Sequence, residues 1–345
     1  MFNKRILRAI IACYFLFLVV PKCAGAVDYN AKIWVTGHEG LVGSAIVRRL
    51  GEYGYCNLIV KSHSELDLCN QSLVEDFFKQ EQPEFVFLAA AKVGGILANT
   101  QYPAEFISEN LAIERNIIHC AHLAGVKGLL FLGSACIYPR DCSQPIREDY
   151  LLTGSLEPSN EWYAIAKISG LKLCQAYQKQ HGDRFISLMP TNLYGPGDNF
   201  DLNCSHVIPA LIRKFVEAKQ QNQPHIVIWG SGIALRDCLF VDDLAEACVW
   251  AMNNYNENQW LNVGSGKEIS ITELANLTAN IVGYEGAIVF DASKPDGTPR
   301  RVLDVSKINK LGWKAHTQLR EGLEKTIQWY ILNQDKARNK VRNDD

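Results

Sequence analysis

The chain has 345 residues, enough for about two domains of ordinary size. Its 35 Lys and Arg residues nearly balance 37 Asp and Glu residues, so the net charge of -2 indicates no surface for nucleic acid or for an anionic membrane. Apolar residues make up 48% of the sequence and aromatic residues 10%, which excludes a disordered or fibrous protein. These values are typical of a soluble globular protein of enzyme size.

The cysteines and the first residues of the chain point to different compartments. The 11 cysteines are scattered without C-x-x-C or zinc-ligand spacing, which predicts reduced thiols and no metal site. However, Lys4, Arg5 and Arg8 precede an apolar run at residues 9–20 and small residues at 24–26, the layout of a secretory signal peptide. A membrane-tethering tail and an extension from an early start codon are the alternatives. Because the rest of the chain is typical of a cytosolic protein, we predict a cytoplasmic location.

From Lys32 onward, short apolar runs alternate with helical stretches. The predicted strands cover residues 33–35, 57–60, 85–90, 128–132 and 184–189, and the helices cover 44–53, 72–80, 104–124 and 162–180. Such alternation is typical of a parallel sheet with helices on both faces. We therefore predict an α/β fold with a doubly wound parallel sheet of the Rossmann type, in which the carboxyl ends of the strands meet at one edge.

After Pro190 the alternation loosens. A turn-rich stretch at 192–205 leads to a predicted helix at 208–220, a strand at 226–229 and a helix from 241 to about 252. Residues 293–299 hold too many turn formers for a regular element. The sequence therefore predicts a smaller, partly interleaved α/β domain that binds the substrate beside the larger domain.

A glycine-rich loop lies between the first predicted strand and its helix. It consists of Gly37, His38, Glu39, Gly40, Leu41, Val42 and Gly43. Glycines allow a tight turn and a close approach of the backbone to pyrophosphate, and the following helix offers free N–H groups to the phosphates. At this first strand-to-helix junction, the loop predicts dinucleotide binding.

The end of the second predicted strand bears on which dinucleotide is bound. An acidic residue there would bind the ribose hydroxyls of NAD, but the residues present are Lys61, Ser62 and His63, which suit a 2′-phosphate. Glu39 in the loop opposes this phosphate, so the sequence favours NADP without excluding NAD. Asp67 could bind the adenine amino group or cap the next helix.

Three residues are spaced for carbonyl or alcohol chemistry. Tyr163 and Lys167 are four residues apart, so one face of a helix presents both side chains, and the lysine is expected to lower the pKa of the phenol. Ser134 follows the fourth predicted strand, where doubly wound sheets bind their ligands. Serine and tyrosine could hold one substrate oxygen while a hydride reaches the attached carbon.

Two further residues are candidates for proton transfer at the same place. Cys136 is two residues after Ser134, and an extended backbone would direct both side chains to the same side. Its thiolate could remove a proton beside a ketone, and His206, at the start of a predicted helix, could return one. Spacing alone leaves both open, since Cys136 could be a buried core residue and His206 a helix cap.

Long stretches of the sequence resemble the GDP-L-fucose synthases, a family of extended short-chain dehydrogenases/reductases. They are residues 89–96, 131–139, 163–167, 189–196, 205–211 and 291–300. The resemblance covers nearly the whole chain from Lys32 onward. It implies conversion of GDP-4-keto-6-deoxy-D-mannose to GDP-L-fucose, with epimerisation at C3 and C5 and NADPH reduction of the C4 ketone. It also implies a homodimer formed through helices that include the one carrying Tyr163.

The resemblance assigns roles to individual residues. Those matching the reductase triad are Ser134, Tyr163 and Lys167, and those matching the epimerase base and acid are Cys136 and His206. With the sequence features above, cofactor binding is assigned to the loop at 37–43 and to His63, Asp67, Ala89, Ala90, Ala91, Lys92, Val93, Leu132, Gly133, Lys167, Pro190, Thr191, Asn192, Leu193 and His206. Binding of the GDP-sugar is assigned to Lys214, Trp229, Arg236 and Asp296.

The implied division of the chain follows from these roles. The NADP-binding domain comprises residues 31–190 plus about 235–262, and the GDP-sugar-binding domain comprises about 191–234 plus 263–335. Residues 1–30 form a signal-like or extra segment without a counterpart in the family.

The sequence departs from the family pattern at several contact positions. Glu39 and His63 stand where many relatives carry arginines, and Lys214 replaces an arginine, which keeps the charge but loses the bidentate fork. Ala135 replaces a common serine. Two other functions stay open: a nucleotide-sugar 4-epimerase or 4,6-dehydratase with tightly bound NAD, and a non-catalytic dinucleotide-binding protein. The pair of Cys136 and His206 and the match over nearly the whole chain argue against the first, and the intact triad argues against the second.

Overall fold

The structure, a computed structural model of the chain, describes residues 27–294, 296–334 and 337, and most of the signal-like segment lies outside them. In chain order the strands are β1 (Ile33–Thr36), β2 (Leu58–Ile59), β3 (Phe85–Leu88), β4 (Gly128–Leu132), β5 (Phe185–Pro190), β6 (Asn192–Tyr194), β7 (His225–Trp229), β8 (Leu235–Phe240), β9 (Leu261–Val263), β10 (Glu268–Ser270), β11 (Ala287–Asp291) and β12 (Arg300–Arg301). The helices are α1 (Leu41–Glu52), α2 (Gln71–Glu81), α3 (Ile96–Gln101), α4 (Pro103–Leu123), α5 (Glu161–His181), α6 (Val207–Gln220), α7 (Val241–Asn254), α8 (Ile271–Val282), α9 (Ser306–Lys310) and α10 (Leu319–Leu332).

A six-stranded sheet forms the centre of the larger part of the molecule. Its strand order is β2-β1-β3-β4-β5-β9, and all neighbouring strands are parallel, which confirms the predicted doubly wound sheet. From β1 the chain passes first to β2 on one side and then to β3 on the other. This reversal opens a crevice between the carboxyl ends of β1 and β3, the place where such sheets bind ligands.

Both faces of this sheet are apolar because helices cover both. Ile33 and Val35 belong to one buried cluster with residues of α1 and α7, whereas Trp34 belongs to another with residues of α2 and α4. Val86 and Leu88 join the second cluster, and Phe85 and Phe87 of the same strand join the first. The alternation explains why the strands read as continuous apolar runs in the sequence.

A second region follows β5 and has its own core. Strand β8 pairs in parallel with β6 and β12 and antiparallel with β10, and β7 pairs in parallel with β11. Apolar residues of α6, α8 and α10 form a third buried cluster with β7 and β8. The sequence analysis placed no elements after α7, and it also missed β6 and β8.

Several sequence-based expectations concern cysteines, metals and membranes. The nine cysteines within the described ranges all have free thiols, and six of them are buried. Over the same ranges, no group of His, Cys, Asp and Glu side chains is arranged to hold a metal ion. None of the helices in the described part of the chain is long and apolar enough to cross a bilayer.

Candidate active site

The crevice between β1 and β3 is held together by Thr36, the last residue of β1. Its hydroxyl oxygen accepts hydrogen bonds from the backbone N–H groups of Ala89 and Ala90, at 3.0 and 2.9 Å. These two residues begin the turn after β3 that the sequence assigned to cofactor binding. The loop after β1 and the turn after β3 therefore form one continuous wall at the switch point of the sheet.

The glycine-rich loop packs too tightly for side chains at Gly37 and Gly43. Gly37 has a φ of +67°, and a Cβ there would lie 2.9 Å from Cα of Ala90. A Cβ on Gly43 would lie 2.1 Å from the carbonyl oxygen of Gly37, so helix α1 packs directly on the loop. Helix α1 begins after Gly40, and its first turn carries no acidic residue. This cradle of backbone N–H groups fits a pyrophosphate.

The other assigned segment near β3 is braced by α4. Lys92 forms an ion pair with Glu109, and its backbone N–H donates to the side-chain oxygen of buried Asn110 at 2.9 Å. The Asn110 amide donates in turn to the carbonyl oxygens of Lys92 and Phe106, at 3.0 and 2.7 Å. The conformation of the turn after β3 is thus fixed by a buried amide that the sequence analysis missed.

The residues after β2 form a compact polar turn. Both the backbone N–H and the hydroxyl of Ser62 donate to the carboxylate of Glu65, at 2.8 and 2.7 Å. Asp67 accepts a hydrogen bond from the backbone N–H of Cys69 at 2.9 Å, whereas the cap of α2 is Asn70, which accepts from Leu73 at 3.2 Å. The alternative that Asp67 caps the next helix is therefore wrong. The sequence analysis also missed Glu65, an acidic residue at the place where it expected only polar and basic ones.

Ser134 and Cys136 lie just past the carboxyl end of β4. Residues Ala135–Ile137 form a short 3-10 turn, and the Ser134 hydroxyl accepts a hydrogen bond from the backbone N–H of Cys136 at 3.3 Å. The expectation of an extended backbone here is wrong, because the chain turns directly after Ser134. The side chains are nevertheless neighbours, since a hydrogen-bonding interaction with Ser134 acts to lower the pKa of the Cys136 thiol.

The Cys136 thiol is buried, with a relative exposure of 4%. Burial raises its pKa above the ordinary value, while the Ser134 hydrogen bond and the positive charges of Arg301 and Lys167 act in the opposite direction. A protonated thiol is therefore the resting form near neutral pH, and its proton must leave before the sulfur can act as a base.

Tyr163 and Lys167 lie on consecutive turns of α5, as their spacing predicted. The Lys167 ammonium lies 5.8 Å from the centre of the Tyr163 ring and 4.9 Å from that of Phe131. Burial raises the pKa of the Tyr163 phenol well above its ordinary value, and the negative charges of Glu114 and of Cys136, once its thiol has ionised, raise it further. The expected net lowering of this pKa is therefore wrong, because burial raises it and the negative charge of Glu114 acts in the same direction.

His206 precedes helix α6 in the N-cap position, but its side chain makes no capping hydrogen bond. The side chain is exposed to solvent, yet protein surrounds it closely enough for desolvation to lower its pKa. Both properties are those of a group in a cleft. The loop before His206 is tied to the turn after β3, since the N–H of Gly95 donates to the carbonyl oxygen of Cys204 at 2.9 Å.

The four residues assigned to the GDP-sugar lie at the ends of β7 and β8 and on neighbouring segments. Lys214 donates to the carbonyl oxygen of Val227 at 2.8 Å, two residues from Trp229, which is 57% exposed. Arg236 donates to the backbone carbonyl of Asp296 at 3.1 Å. The structure thus gathers Lys214, Trp229, Arg236 and Asp296 on one side of the second region.

The Asp296 carboxylate is already engaged within the protein. It accepts hydrogen bonds from the backbone N–H and the hydroxyl of Ser231, at 2.7 and 2.8 Å. A Cβ on the neighbouring Gly230 would lie 2.4 Å from the same carboxylate. Asp296 therefore fixes the loop after β7, and this role is an alternative to direct contact with a substrate.

Arg301 is a further cation that the sequence analysis missed. It is the partner of Arg236 across the β8–β12 pair, and its guanidinium donates to the hydroxyl of Thr298 at 3.0 Å. Burial lowers the pKa of Arg236 to about 10, and the charge of Arg301 contributes. Two adjacent guanidinium groups, one of which also acts on Cys136, suit a diphosphate next to the thiol. The missing signal was the β8–β12 register, which brings positions 65 residues apart together.

The segment after β5 links the two regions. The Thr191 hydroxyl and the Asn192 amide both donate to the carbonyl oxygen of Asp237, at 3.1 and 2.9 Å. The carboxylate of Asp237 is buried and accepts from the backbone N–H and hydroxyl of Ser265, at 3.0 and 2.6 Å. Burial raises the pKa of this carboxylate to about 6. The segment assigned to the cofactor is therefore tied to the strand that carries Arg236.

Comparison with known proteins gives consistent matches. The model of the NAD dependent epimerase/dehydratase family matches residues 33–264. The chain is 58% identical over 306 residues to GDP-L-fucose synthase 1 of Arabidopsis thaliana, covering 89% of this chain and 95% of that protein. It is 52% identical over 316 residues to a GDP-L-fucose synthase of Escherichia coli K12, covering 89% and 98%. Among solved structures, a GDP-L-fucose synthetase of Naegleria fowleri bound to NADP has a TM-score of 0.84 and 29% identity, covering 91% of this chain and 98% of that one.

Proposed function

Because the chain belongs to the NAD dependent epimerase/dehydratase family and, within it, to the GDP-L-fucose synthases, we propose that it converts GDP-4-keto-6-deoxy-D-mannose to GDP-L-fucose. The observation that carries this proposal is the arrangement of a thiol, a hydroxyl and a phenol beside the switch point of the sheet, with two guanidinium groups nearby. One ketone at C4 can activate both epimerisations and accept the final reduction, so a single site suffices.

In the epimerisation stage, Cys136 is the base and His206 is the acid. The thiolate of Cys136 takes the proton from C3 or C5, the electron pair moves to the C4 oxygen, and an enolate forms. The hydroxyl of Ser134 and the phenol of Tyr163 donate hydrogen bonds to that oxygen. His206 then gives a proton to the opposite face of the same carbon, and the ketone is restored.

In the reduction stage, Tyr163 is the proton donor. Bound NADPH supplies the hydride that reduces C4. Ser134 orients the C4 oxygen, and the Tyr163 phenol gives it a proton as its negative charge develops. Lys167, one turn further along α5, would hold the ribose of the bound cofactor. Because the pKa of the phenol is raised by burial, Tyr163 is in the protonated form that this stage requires.

The residues around the switch point fit NADP. The cradle formed by Gly37, Gly40 and Gly43 leaves room for a pyrophosphate at the start of α1, and Ala89 and Ala90 close its other side. The Pro190–Leu193 segment approaches from β5, held by Asp237. The pKa of the Glu65 carboxyl is lowered mainly by the Ser62 hydrogen bonds and to a smaller extent by Lys61 and His38. The surface at the end of β2 therefore contains basic as well as acidic groups.

The diphosphate of the GDP-sugar is assigned to the cations of the second region. Arg236, Arg301 and Lys214 supply positive charge on one side of the cleft, and the exposed ring of Trp229 offers a flat apolar surface for a base. On this basis we propose the division made from the sequence. The dinucleotide domain comprises residues 31–190 plus about 235–262, and the GDP-sugar domain comprises about 191–234 plus 263–335.

Assembly and location are part of the same proposal. Helices α4 and α5 pack against each other and carry exposed apolar side chains, among them Leu123, Trp162 and Ile165. These helices suit a homodimer in which the same pair from a second copy completes a four-helix contact. Light scattering at micromolar concentration should return twice the mass of one chain, and a single-chain mass would contradict the dimer. The free thiols fit a cytoplasmic location.

The activity is tested with purified protein, GDP-4-keto-6-deoxy-D-mannose and either NADPH or NADH. Loss of reduced-cofactor absorbance should match formation of GDP-L-fucose mole for mole, with the faster rate for NADPH. If a folded preparation leaves both cofactors unchanged, the proposal fails, and tightly bound NAD that survives purification would favour a 4-epimerase or 4,6-dehydratase.

A further inference from the structure

Glu114, on α4, is a buried carboxylate that the reaction above does not use. Its side chain is 2% exposed and faces the 3% exposed side chain of Lys167, with 3.1 Å between Oε1 and Nζ. The two groups form a buried ion pair: burial raises the pKa of the Glu114 carboxyl, and the Lys167 ammonium acts in the opposite direction. A buried charge without a partner is strongly unfavourable, so each of these two groups stabilises the charged form of the other.

We propose that Glu114 is a positioning residue that cancels the charge of Lys167 and thereby keeps Tyr163 in the protonated form. This inference rests on the proposed function, because Glu114 would determine whether Tyr163 acts as a proton donor or as a proton acceptor. A protonated phenol can give a proton to the oxygen of a ketone while a hydride adds to its carbon, which together is reduction. A phenolate can take a proton from an alcohol while a hydride leaves its carbon, which together is oxidation.

The position of Glu114 is fixed by packing between three elements. A Cβ on Gly170 of α5 would lie 2.5 Å from Oε2 of Glu114 and 2.6 Å from the Phe131 ring. The carboxylate therefore lies directly against the backbone of α5, where only a glycine leaves room. The ring of Phe131 on β4 lies 4.9 Å from the Lys167 ammonium and covers the pair from a third side. The pair belongs to the packed interior and not to a mobile surface.

The charges around Tyr163 come from several elements. The titratable and charged groups that face Tyr163 or the ion pair are Glu114 on α4, Lys167 and Cys174 on α5, Cys136 after β4 and Arg301 on β12, which acts on Cys136. Within this set, the Lys167 ammonium lies 5.8 Å from the centre of the Tyr163 ring and is paired with a carboxylate. Burial raises the pKa of the phenol, and the negative charges of Glu114 and of Cys136, once its thiol has ionised, act in the same direction.

The proton balance shows what the pair contributes. During reduction the hydride adds to C4. The O–H bond of the phenol breaks, and a new O–H bond forms at the oxygen attached to C4. The phenolate that remains takes a proton from water before the next turnover. An uncompensated lysine would stabilise that phenolate and would leave Tyr163 ionised at rest. With Glu114 in place, the pair has no net charge and the phenol is restored.

The test follows the ionisation of Tyr163 in the cofactor-free full chain. The phenolate absorbance is titrated for the wild type and for Tyr163→Phe, and the difference reports this tyrosine alone. We expect no Tyr163 phenolate below pH 10, the ordinary pKa of tyrosine. In Glu114→Gln we expect ionisation to begin at least about one pH unit lower than in the wild type, because an unpaired ammonium at this distance favours the phenolate. A phenolate near neutral pH in the wild type would overturn the proposal, as would an unchanged titration in Glu114→Gln.

Two variants separate charge from packing. Glu114→Asp keeps the charge and should restore the wild-type titration even if the protein is less stable. Glu105→Gln makes the same chemical change at an exposed position on the same helix and should leave the titration unchanged. If Glu114→Gln does not fold, the wild-type difference titration and Glu114→Asp decide the question. Failure of the chain to reduce GDP-4-keto-6-deoxy-D-mannose would overturn the proposed function but would not alter this ionisation result.

Discussion

The Cβ that Gly37 lacks would lie 2.9 Å from Cα of Ala90, so the loop after β1 and the turn after β3 are in direct backbone contact. This contact defines the wall of the proposed dinucleotide site. It also makes the site sensitive to a single methyl group, because a backbone atom cannot move aside as a flexible side chain can.

Gly37→Ala should therefore weaken NADPH binding by at least about tenfold and destabilise the fold, since alanine is strained at a φ of +67° and its methyl group separates the two loops. Fluorescence titration with NADPH and thermal unfolding measure the two effects. Gly51→Ala is the matched control, because Gly51 lies in α1 with open space around it, and it should bind NADPH normally. Equal binding by Gly37→Ala and the wild type would show that NADPH does not bind at this wall.

The proton transfers are tested by Cys136→Ser. Exchange of solvent deuterium into C3 and C5 should fall by about 10²–10⁴-fold, because a serine hydroxyl is too weak an acid to supply the base. NADPH affinity should not change, since Cys136 lies in the turn after β4 and not in the glycine-rich loop. Cys142→Ser, at a half-buried thiol outside this turn, is the control and should exchange normally. Normal exchange by Cys136→Ser would remove the thiol from the mechanism.

The pH dependence of exchange follows from the two opposite pKa shifts. Desolvation lowers the pKa of His206 below its ordinary 6.5, and burial raises the pKa of Cys136 above its ordinary 9.0. Exchange requires a thiolate together with an imidazolium, whereas the resting form is a thiol with a neutral imidazole. Both forms carry the same number of titratable protons, so their ratio does not depend on pH. The pair gains a second proton only below the His206 pKa and loses its one proton only above the Cys136 pKa. The exchange rate should therefore not change with pH between 6.5 and 9.0. A rise or fall of the rate within this range would contradict the roles given to Cys136 and His206.

Adjacent residues on β12 allow a test of the substrate cations. Arg301 is half-buried beside Arg236, whereas Arg300 is exposed and pairs with Glu268 at 2.7 Å. Arg301→Gln should raise the KM for the GDP-sugar by about 10- to 100-fold, the cost of one charged hydrogen bond, with a smaller effect on kcat. Arg300→Gln should have no comparable effect. Equal KM values for the two variants would show that the diphosphate does not bind at this strand.

Most of the six-stranded sheet could be predicted from the sequence because its information is local, although its last strand, β9, was missed. Strands β1, β3, β4 and β5 are apolar runs of four to six residues with helices between them, which indicates a doubly wound sheet, and the glycine loop at the first junction marks the switch point. The second region was harder, because its strands are short and pair across long separations. Strand β12 has two residues, and only its register with β8 brings Arg301 to Arg236.

At the site, too, features within one helix could be predicted from the sequence, whereas contacts between helices could not. The spacing of Tyr163 and Lys167 predicted their common face, because both lie on one helix. The partner of Lys167 is Glu114, which comes from another helix, and no pattern within α5 indicates it. The sign of the pKa shift at Tyr163 depends on burial and on that partner, so it required the three-dimensional structure.

The most direct measurement of the central claim is one turnover of GDP-4-keto-6-deoxy-D-mannose with unlabelled NADPH in deuterium oxide, with the product analysed by nuclear magnetic resonance. If one site carries out both stages, the product is GDP-L-fucose with deuterium at C3 and C5 and protium at C4. A product reduced at C4 but free of deuterium at C3 and C5 would show a reductase without epimerase activity, and it would contradict the account.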